Sequence, residues 1–435
     1  MAKKRNRGDR LTTAWMVLAL ILFFVTIAAR VVIPQSWWLS IHILTLGVLS
    51  NAILQWSWYF SRSLLRLSSD DPRSTTHHYA RQIFFNAFLV VLLVGMLLAN
   101  LVVTIIGAAA IGLVITWHGL ALLMATRAKL GSRFAVVIRY YLAASAFLVI
   151  GVIYGGFIAS AMFQIEAPTW VVENREALTL AHSLTNTLGW LGLTIVGTLV
   201  TLWPTMLRTR IAEGAVARST RVLPLLLLGL VIAIASATFG LMPLVALGVG
   251  IFTAGITWGI GAPLLSEALR KAPAGYATWS VLAGGAWAVS GLLVLTVTPF
   301  LSQTPVDFRA YAPTLIVMIG VGGVLQILVG ALTYLMPVII GGGPAAARVG
   351  IAVLEQLGPF RLVLRNAALA LALLAGVAAP IFWLLTAASF LLDLIMFTMV
   401  GIKQAGAKRA AAANSDQFIG VQAPPGTKQL KLGDS

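Results

Sequence analysis

Apolar stretches of about twenty residues recur along almost the whole chain, separated by short connectors rich in Lys and Arg. A helix needs roughly 20 apolar residues to cross a bilayer. Backbone in lipid must also satisfy its own N–H and C=O groups, so helices and closed barrels are the structures that span. We read twelve spans, at about 11–33, 38–60, 83–101, 104–126, 137–162, 178–204, 222–240, 243–263, 278–300, 314–337, 362–379 and 381–401. Charged residues are 10% of the chain and hydrophobic ones 59%, whereas a soluble domain carries about 25% charged residues. The expected fold is therefore an all-α integral membrane bundle of about twelve helices. The close pairs 83–126 and 362–401 require tight turns, expected at Gly107 and at the Ala379–Pro380 step.

Charge placement supplies the expected orientation. The net charge of +17 does not point to nucleic acid, because the cations lie in connectors and tails. With the N-terminus inside, only Arg30, Arg175 and Arg309 of the 30 Lys and Arg fall on outer connectors. That bias predicts an even number of spans with both termini cytoplasmic, in a plasma (inner) membrane. Residues 1–10 form a basic cytoplasmic N-terminus leading into an uncleaved first span. The outer connector before span six carries Glu166, Glu173 and Glu176. After the 11–401 membrane domain comes a cytoplasmic tail, 402–435. Its Ala-rich start can extend a helix, and its end is expected to be disordered. A basic tail of this kind rests on anionic lipid.

Span six ends Gly197-Thr-Leu-Val-Thr-Leu-Trp-Pro204, and span ten ends Gly330-Ala-Leu-Thr-Tyr-Leu-Met-Pro337. Span two begins His42-Ile-Leu-Thr-Leu-Gly47, and span six begins His182-Ser-Leu-Thr-Asn-Thr-Leu-Gly189. The echoes lie four spans apart, which suggests a threefold pseudo-repeat of four helices; sites often form where repeats meet. The third unit has Leu315 where His182 stands.

Without Cys, thiolate metal sites, Fe–S clusters and covalently attached c-type haem are excluded. Any metal must be held by His, Met or oxygen. His42 and His182 are the leading candidates, since each lies about one turn inside the outer end of its span. A neutral imidazole ligates haem iron or copper well; equally, each could hydrogen-bond a neighbouring helix. Asn186, one turn below His182, could support a ligand or stitch helices together. Arg175, Arg30 and Arg309 are the outer cations available to haem propionates, or are simple interfacial anchors. His118 lies toward the inner half of span four, as a second site or a packed polar residue. His77 and His78 read as solvated loop residues. Asp393, the one acid within a span, is expected to snorkel or to bond a neighbouring helix. Met162, Met206, Met318, Met336, Met396 and Met399 show no shared motif and read as packing. Gly341-Gly-Gly-Pro344 lacks the Lys and Ser/Thr of a phosphate loop and reads as an inner turn.

The motifs His42–Gly47, Trp117-His118-Gly119, Arg139-Tyr-Tyr141, His182–Trp190, Thr201–Arg210 and Leu335–Pro344 together resemble an actinobacterial membrane-protein family. Related membrane regions precede copper nitrite reductase or multicopper oxidase domains. In plan the family is similar to NnrS proteins and, more remotely, to subunit I of haem–copper oxidases. The resemblance covers about residues 35–370. It implies an oxidase-like bundle with haem b or copper held by His42 and His182, and with respiratory or copper-protein partners. On the oxidase analogy His42 matches the second-helix ligand of low-spin haem. Span ten has no His, and neither do spans seven and eight. A haem–copper oxygen-reducing centre is therefore not expected. The leading expectation is a haem-binding, alternatively copper-binding, membrane protein linked to respiration, to nitric oxide or nitrite, or to copper and haem handling. A cofactor-free twelve-span transporter and a scaffold or assembly subunit are the other readings.

Overall fold

A computed structural model describes residues 2–68, 71–74, 76–163 and 167–419. Glu166 and the tail beyond Ile419 lie outside them. Every regular element among the described residues is helical. The helices are α1 (Ala2–Ala28), α2 (Ser36–Leu65), α3 (Thr76–Leu97), α4 (Leu101–Lys129), α5 (Ala135–Phe163), α6 (Arg175–Met206) and α7 (Ala215–Thr238). They continue with α8 (Met242–Arg270), α9 (Tyr276–Leu301), α10 (Pro305–Ile340), α11 (Gly343–Leu354), α12 (Gly358–Leu374) and α13 (Ala379–Ile419). Eleven helices are long and apolar enough to cross a membrane, or twelve if α11 and α12 form one span bent by 41°. The chain is thus a multi-pass membrane protein. The apolar run read at 362–379 falls on α12, which ends at Leu374 and follows α11 across a bend of 41°.

The first tight turn is not at Gly107. It lies at 98–100, where Ala99 takes φ 51° and the Asn100 side chain accepts from Val103 N at 3.0 Å to cap α4. Gly107 sits inside α4, where a Cβ would come 2.7 Å from the Cα of Leu92. In water such a glycine reads as a breaker. Between membrane helices it lets two backbones approach, and here it draws α3 and α4 together. The second turn falls at Gly376, with φ 51°, so Pro380 lies in the first turn of α13, where a missing N–H costs no helix bond. Gly341 and Gly342 have positive φ and do form a turn. The Ala-rich segment after 401 continues α13 as a helix.

The chain divides into two compact units, 1–272 with 288–320, and 273–287 with 321–435. In the first unit a polar seam joins α1, α2 and α3. His78, Gln82 and Asn86 recur every four residues, so they share one face of α3. Asn86 and Asn51 exchange two amide hydrogen bonds, at 2.8 and 2.9 Å. Gln82 donates to Gln55 at 2.7 Å and accepts from Thr12 at 2.7 Å. His78 is therefore a buried helical residue, not a solvated loop residue; only His77 is exposed.

In the second unit Asp393 does not snorkel but bonds neighbouring helices, the other of its two expected roles. Its carboxylate takes the Arg361 guanidinium at 2.5 Å, the Tyr276 hydroxyl at 2.7 Å, and the Arg365 guanidinium. Arg361 and Arg365 also lie over the Tyr276 and Phe390 rings, each at 3.9 Å. Both arginines are at most 1% exposed, so they are interior ion-pair partners, a role that the sequence reading did not assign them.

Candidate functional site

His42 and His182 meet. Their ring centroids lie 6.2 Å apart with planes inclined by 30°. Each belongs to the first turns of its helix, in the segments Ser36–His42 and Arg175–Leu184. Beyond each histidine the helix widens to π geometry, over Ile43–Ser50 in α2 and Thr185–Gly192 in α6. Such widening is rare and is found often at functional sites. α8 and α10 carry similar segments at Ile256–Gly261 and Ile316–Leu325. The α2 and α6 segments are tied together by Trp190, whose indole Nε1 donates to the Ser50 hydroxyl at 2.9 Å.

Both imidazoles are held in the same way. His42 Nδ1–H donates to the Trp38 carbonyl at 2.8 Å, and the ring stacks on Trp38 with centroids 3.9 Å apart. His182 Nδ1–H donates to the Gly151 carbonyl on α5 at 2.9 Å. A backbone acceptor at Nδ1 places the proton there and leaves the lone pair on Nε2, the form that binds metals. Neither Nε2 makes a hydrogen bond among the described residues.

The other candidates fall around this pair. Asn186 donates to the His182 carbonyl at 2.8 Å and lies 3.3 Å from His182 Nδ1. Its side chain sits where a Cβ on Gly151 would stand. It thus supports the His182 ring from the same side as Gly151. Arg175 is at the surface and reaches Glu176 at 3.5 Å, while Arg309 pairs with the same carboxylate at 3.0 Å. Exposed pairs of this kind are worth about 0–1 kcal/mol, so neither arginine is locked. Leu315 is buried immediately before the π segment of α10.

His118 does not join the pair. It is 1% exposed, bonds the Ser57 hydroxyl through Nε2 at 3.0 Å, and lies with His78 around the Trp58 ring. Arg81 is packed there too, with its guanidinium 4.9 Å from the Trp58 centroid and 5.5 Å from that of Trp117. The sequence reading missed His78 and Arg81 because it began span three at 83. The four-residue recurrence of His78, Gln82 and Asn86 was the signal that the helix starts about two turns earlier, at Thr76.

A metal bonded to one nitrogen of each ring at about 2.0–2.1 Å separates the ring centres by at most about 6–6.5 Å. The observed 6.2 Å is compatible with one metal between them. Among the described residues no group of three or more His, Cys, Asp or Glu could hold a metal ion. Two imidazoles alone fall short of the three or four protein ligands that a bare zinc ion takes. No protein-family model, curated protein or solved structure matches the chain.

Proposed function

We propose that this is a membrane-embedded b-type haem protein, with copper as the alternative metal, bound between His42 on α2 and His182 on α6. The observation that carries the reading is the pair itself. Two imidazoles from different helices lie 6.2 Å apart, and each is anchored at Nδ1 on a backbone carbonyl. Nε2 of both rings would be the ligand atoms. Asn186 and the Gly151 carbonyl would fix the orientation of His182, and Trp38 that of His42. Arg175 and Arg309 lie toward the same end of the unit and would be available to propionates. Such a haem would supply one-electron chemistry, with a potential set by its axial ligands and their burial.

Three of the four π segments follow His42, His182 and Leu315, in keeping with the threefold arrangement read from the sequence, and the fourth, Ile256–Gly261 in α8, falls outside that series. They are also in keeping with the NnrS-like and oxidase-like resemblance. On that resemblance the protein serves respiration, a nitric oxide or nitrite response, or copper and haem handling in a plasma membrane, with both termini cytoplasmic. The third four-helix unit, with Leu315, would contribute no ligand.

The test is an absorption spectrum with iron and copper analysis of protein purified from haem-replete cells. A Soret band, and iron near one per chain, should be lost in His42→Ala and in His182→Ala. If the wild type carries neither metal, or if haem remains with an unchanged spectrum in both variants, the assignment fails.

A transporter is the second reading. Buried charges within spans mark ion pathways as well as structural pairs, and Asp393 with Arg361 and Arg365 is such a group. Proton- or anion-dependent flux in vesicles, lost in Asp393→Asn while the fold is kept, would favour it.

A further inference from the structure

Arg81 is a buried cation, 1% exposed, with no counterion among the described residues. Its one hydrogen bond runs from Nη2 to the Arg73 carbonyl at 3.0 Å, and Nε and Nη1 are buried with no partner. The same is true of Trp58 Nε1, His78 Nδ1 and His118 Nδ1. All these atoms belong to side chains that border the Trp58 ring: Arg81 at 4.9 Å, His78 at 6.2 Å and His118 at 6.3 Å from its centroid. Buried polar groups are satisfied in the great majority of cases, so five orphaned nitrogens on four neighbouring side chains call for a partner. A buried charge needs an opposite charge, which water does not provide.

We infer that Arg81, His118, Trp58 and His78 bind a phosphate-class oxyanion that carries a hydroxyl. The donor chemistry suits it. Arg81 offers Nε–H and Nη1–H, and a guanidinium fork suits phosphate oxygens. Trp58 offers its indole N–H. His118 offers Nδ1–H when the Ser57 hydroxyl donates to its Nε2. His78 is the complement: its Nε2–H is given to Gln55 at 3.0 Å, so Nδ1 is an acceptor for a hydroxyl on the ligand. The cluster reaches the connector before α3 through the Arg81 bond to the Arg73 carbonyl, and Arg73 is itself paired with Asp71. Two sources share this chemistry, hydrogen phosphate in solution and the head group of phosphatidylglycerol, with its phosphate and glycerol hydroxyls.

The experiment is thermal unfolding of the full chain. The first arm compares detergent solution with inorganic phosphate or with chloride at equal ionic strength. The second compares nanodiscs of phosphatidylglycerol with nanodiscs of phosphatidylcholine. A ligand that binds only the native state raises the midpoint. We expect a rise with phosphate, with phosphatidylglycerol, or with both, and the arm that responds names the source. In Arg81→Gln the affinity should fall about 10- to 100-fold, as expected for a lost charge-assisted hydrogen bond. Without ligand this variant should melt no lower than the wild type, because it removes an uncompensated charge. Arg81→Lys should keep a weakened response. Equal midpoints in both arms of the wild type overturn the inference, as does an undiminished anion response in Arg81→Gln. The wild-type arms decide the matter even if a variant does not fold.

Discussion

Replacing Asp393 should expose how the second unit is held together. Its carboxylate is 2% exposed and lies between guanidinia that are 1% and 0% exposed. In Asp393→Leu, Arg361 keeps only the Leu354 carbonyl and its stack on Tyr276. Arg365 keeps the Ser389 hydroxyl and carbonyl, each at 3.1 Å. Two buried cations then face each other without an anion. Removing one partner of a buried pair costs about 3–5 kcal/mol, and Asp393→Leu belongs at the upper end. Asp393→Asn keeps one acceptor and should fall near the lower end. The quadruple variant Tyr276→Phe/Arg361→Leu/Arg365→Met/Asp393→Leu orphans no charge and no hydroxyl, so it should be more stable than Asp393→Leu alone. The assay is reversible unfolding in mixed micelles of rising SDS fraction at constant pH, followed by helicity. If Asp393→Asn stays within about 0.5 kcal/mol of wild type, or if the quadruple variant loses more than Asp393→Leu, the carboxylate is not what neutralises these arginines.

Other perturbations reach the first unit. Trp190→Phe removes the bond to Ser50 and should cost about 0.6–1.7 kcal/mol by the same assay, the range for polar contacts between membrane helices. Asn51→Leu strands the Asn86 amide and should cost about 1–3 kcal/mol, with a substantial part recovered in Asn51→Leu/Asn86→Leu. Gly107→Val forces a side chain into the Leu92 backbone and should destabilise by at least about 1–3 kcal/mol; a neutral result would mean that α3 and α4 do not cross there. In the connector, the Arg73 guanidinium bonded to Asp71 holds that carboxyl below its usual range. The folded value is the lower one, so this pair's stability is present above an unfolded pKa of about 3.9 and is lost as pH falls through the folded value. The effect is under about 1 kcal/mol because the pair is solvent-exposed, and the difference between wild type and Asp71→Asn should vanish in acid.

The spans were legible because each carries its own signal, a run of apolar residues long enough to cross. His42 and His182 were legible as polar exceptions placed alike within similar motifs. Their contact is tertiary, yet matched depth was enough to anticipate it. Gly107 misled because glycine has opposite meanings in water and between membrane helices. Arg361 and Arg365 went unread because charge counting treats every arginine at a span's edge as part of a connector. Their spacing of four puts them on one face of α12, and Asp393 was the only acid read within a span, so the pairing was recoverable. The π segments left no signal that we can identify, since Ile43–Ser50 and Ile316–Leu325 read as ordinary apolar helix.

Polarity alone does not mark a site in this protein. Helix α2 carries polar side chains along most of its length, from His42 through Ser50, Asn51 and Gln55 to Ser57. Those in the middle are all engaged: Ser50 with Trp190, Asn51 with Asn86, and Gln55 with Gln82 and His78. Satisfied groups of this kind join helices and ask for nothing more. Along α2 itself, nitrogens without a hydrogen bond lie toward the two ends of the helix. At one end they are Nε2 of His42 and of its neighbour His182. At the other they are the free atoms of Trp58, His78, Arg81 and His118. The two ends also differ in sign. The first offers neutral lone pairs, which suit a metal. The second offers a fixed positive charge ringed by N–H groups, which repels a metal and suits an anion. One ligand cannot account for both ends, so the two sites should lose their ligands independently: His42→Ala should leave the anion response intact, and Arg81→Gln should leave any haem spectrum unchanged.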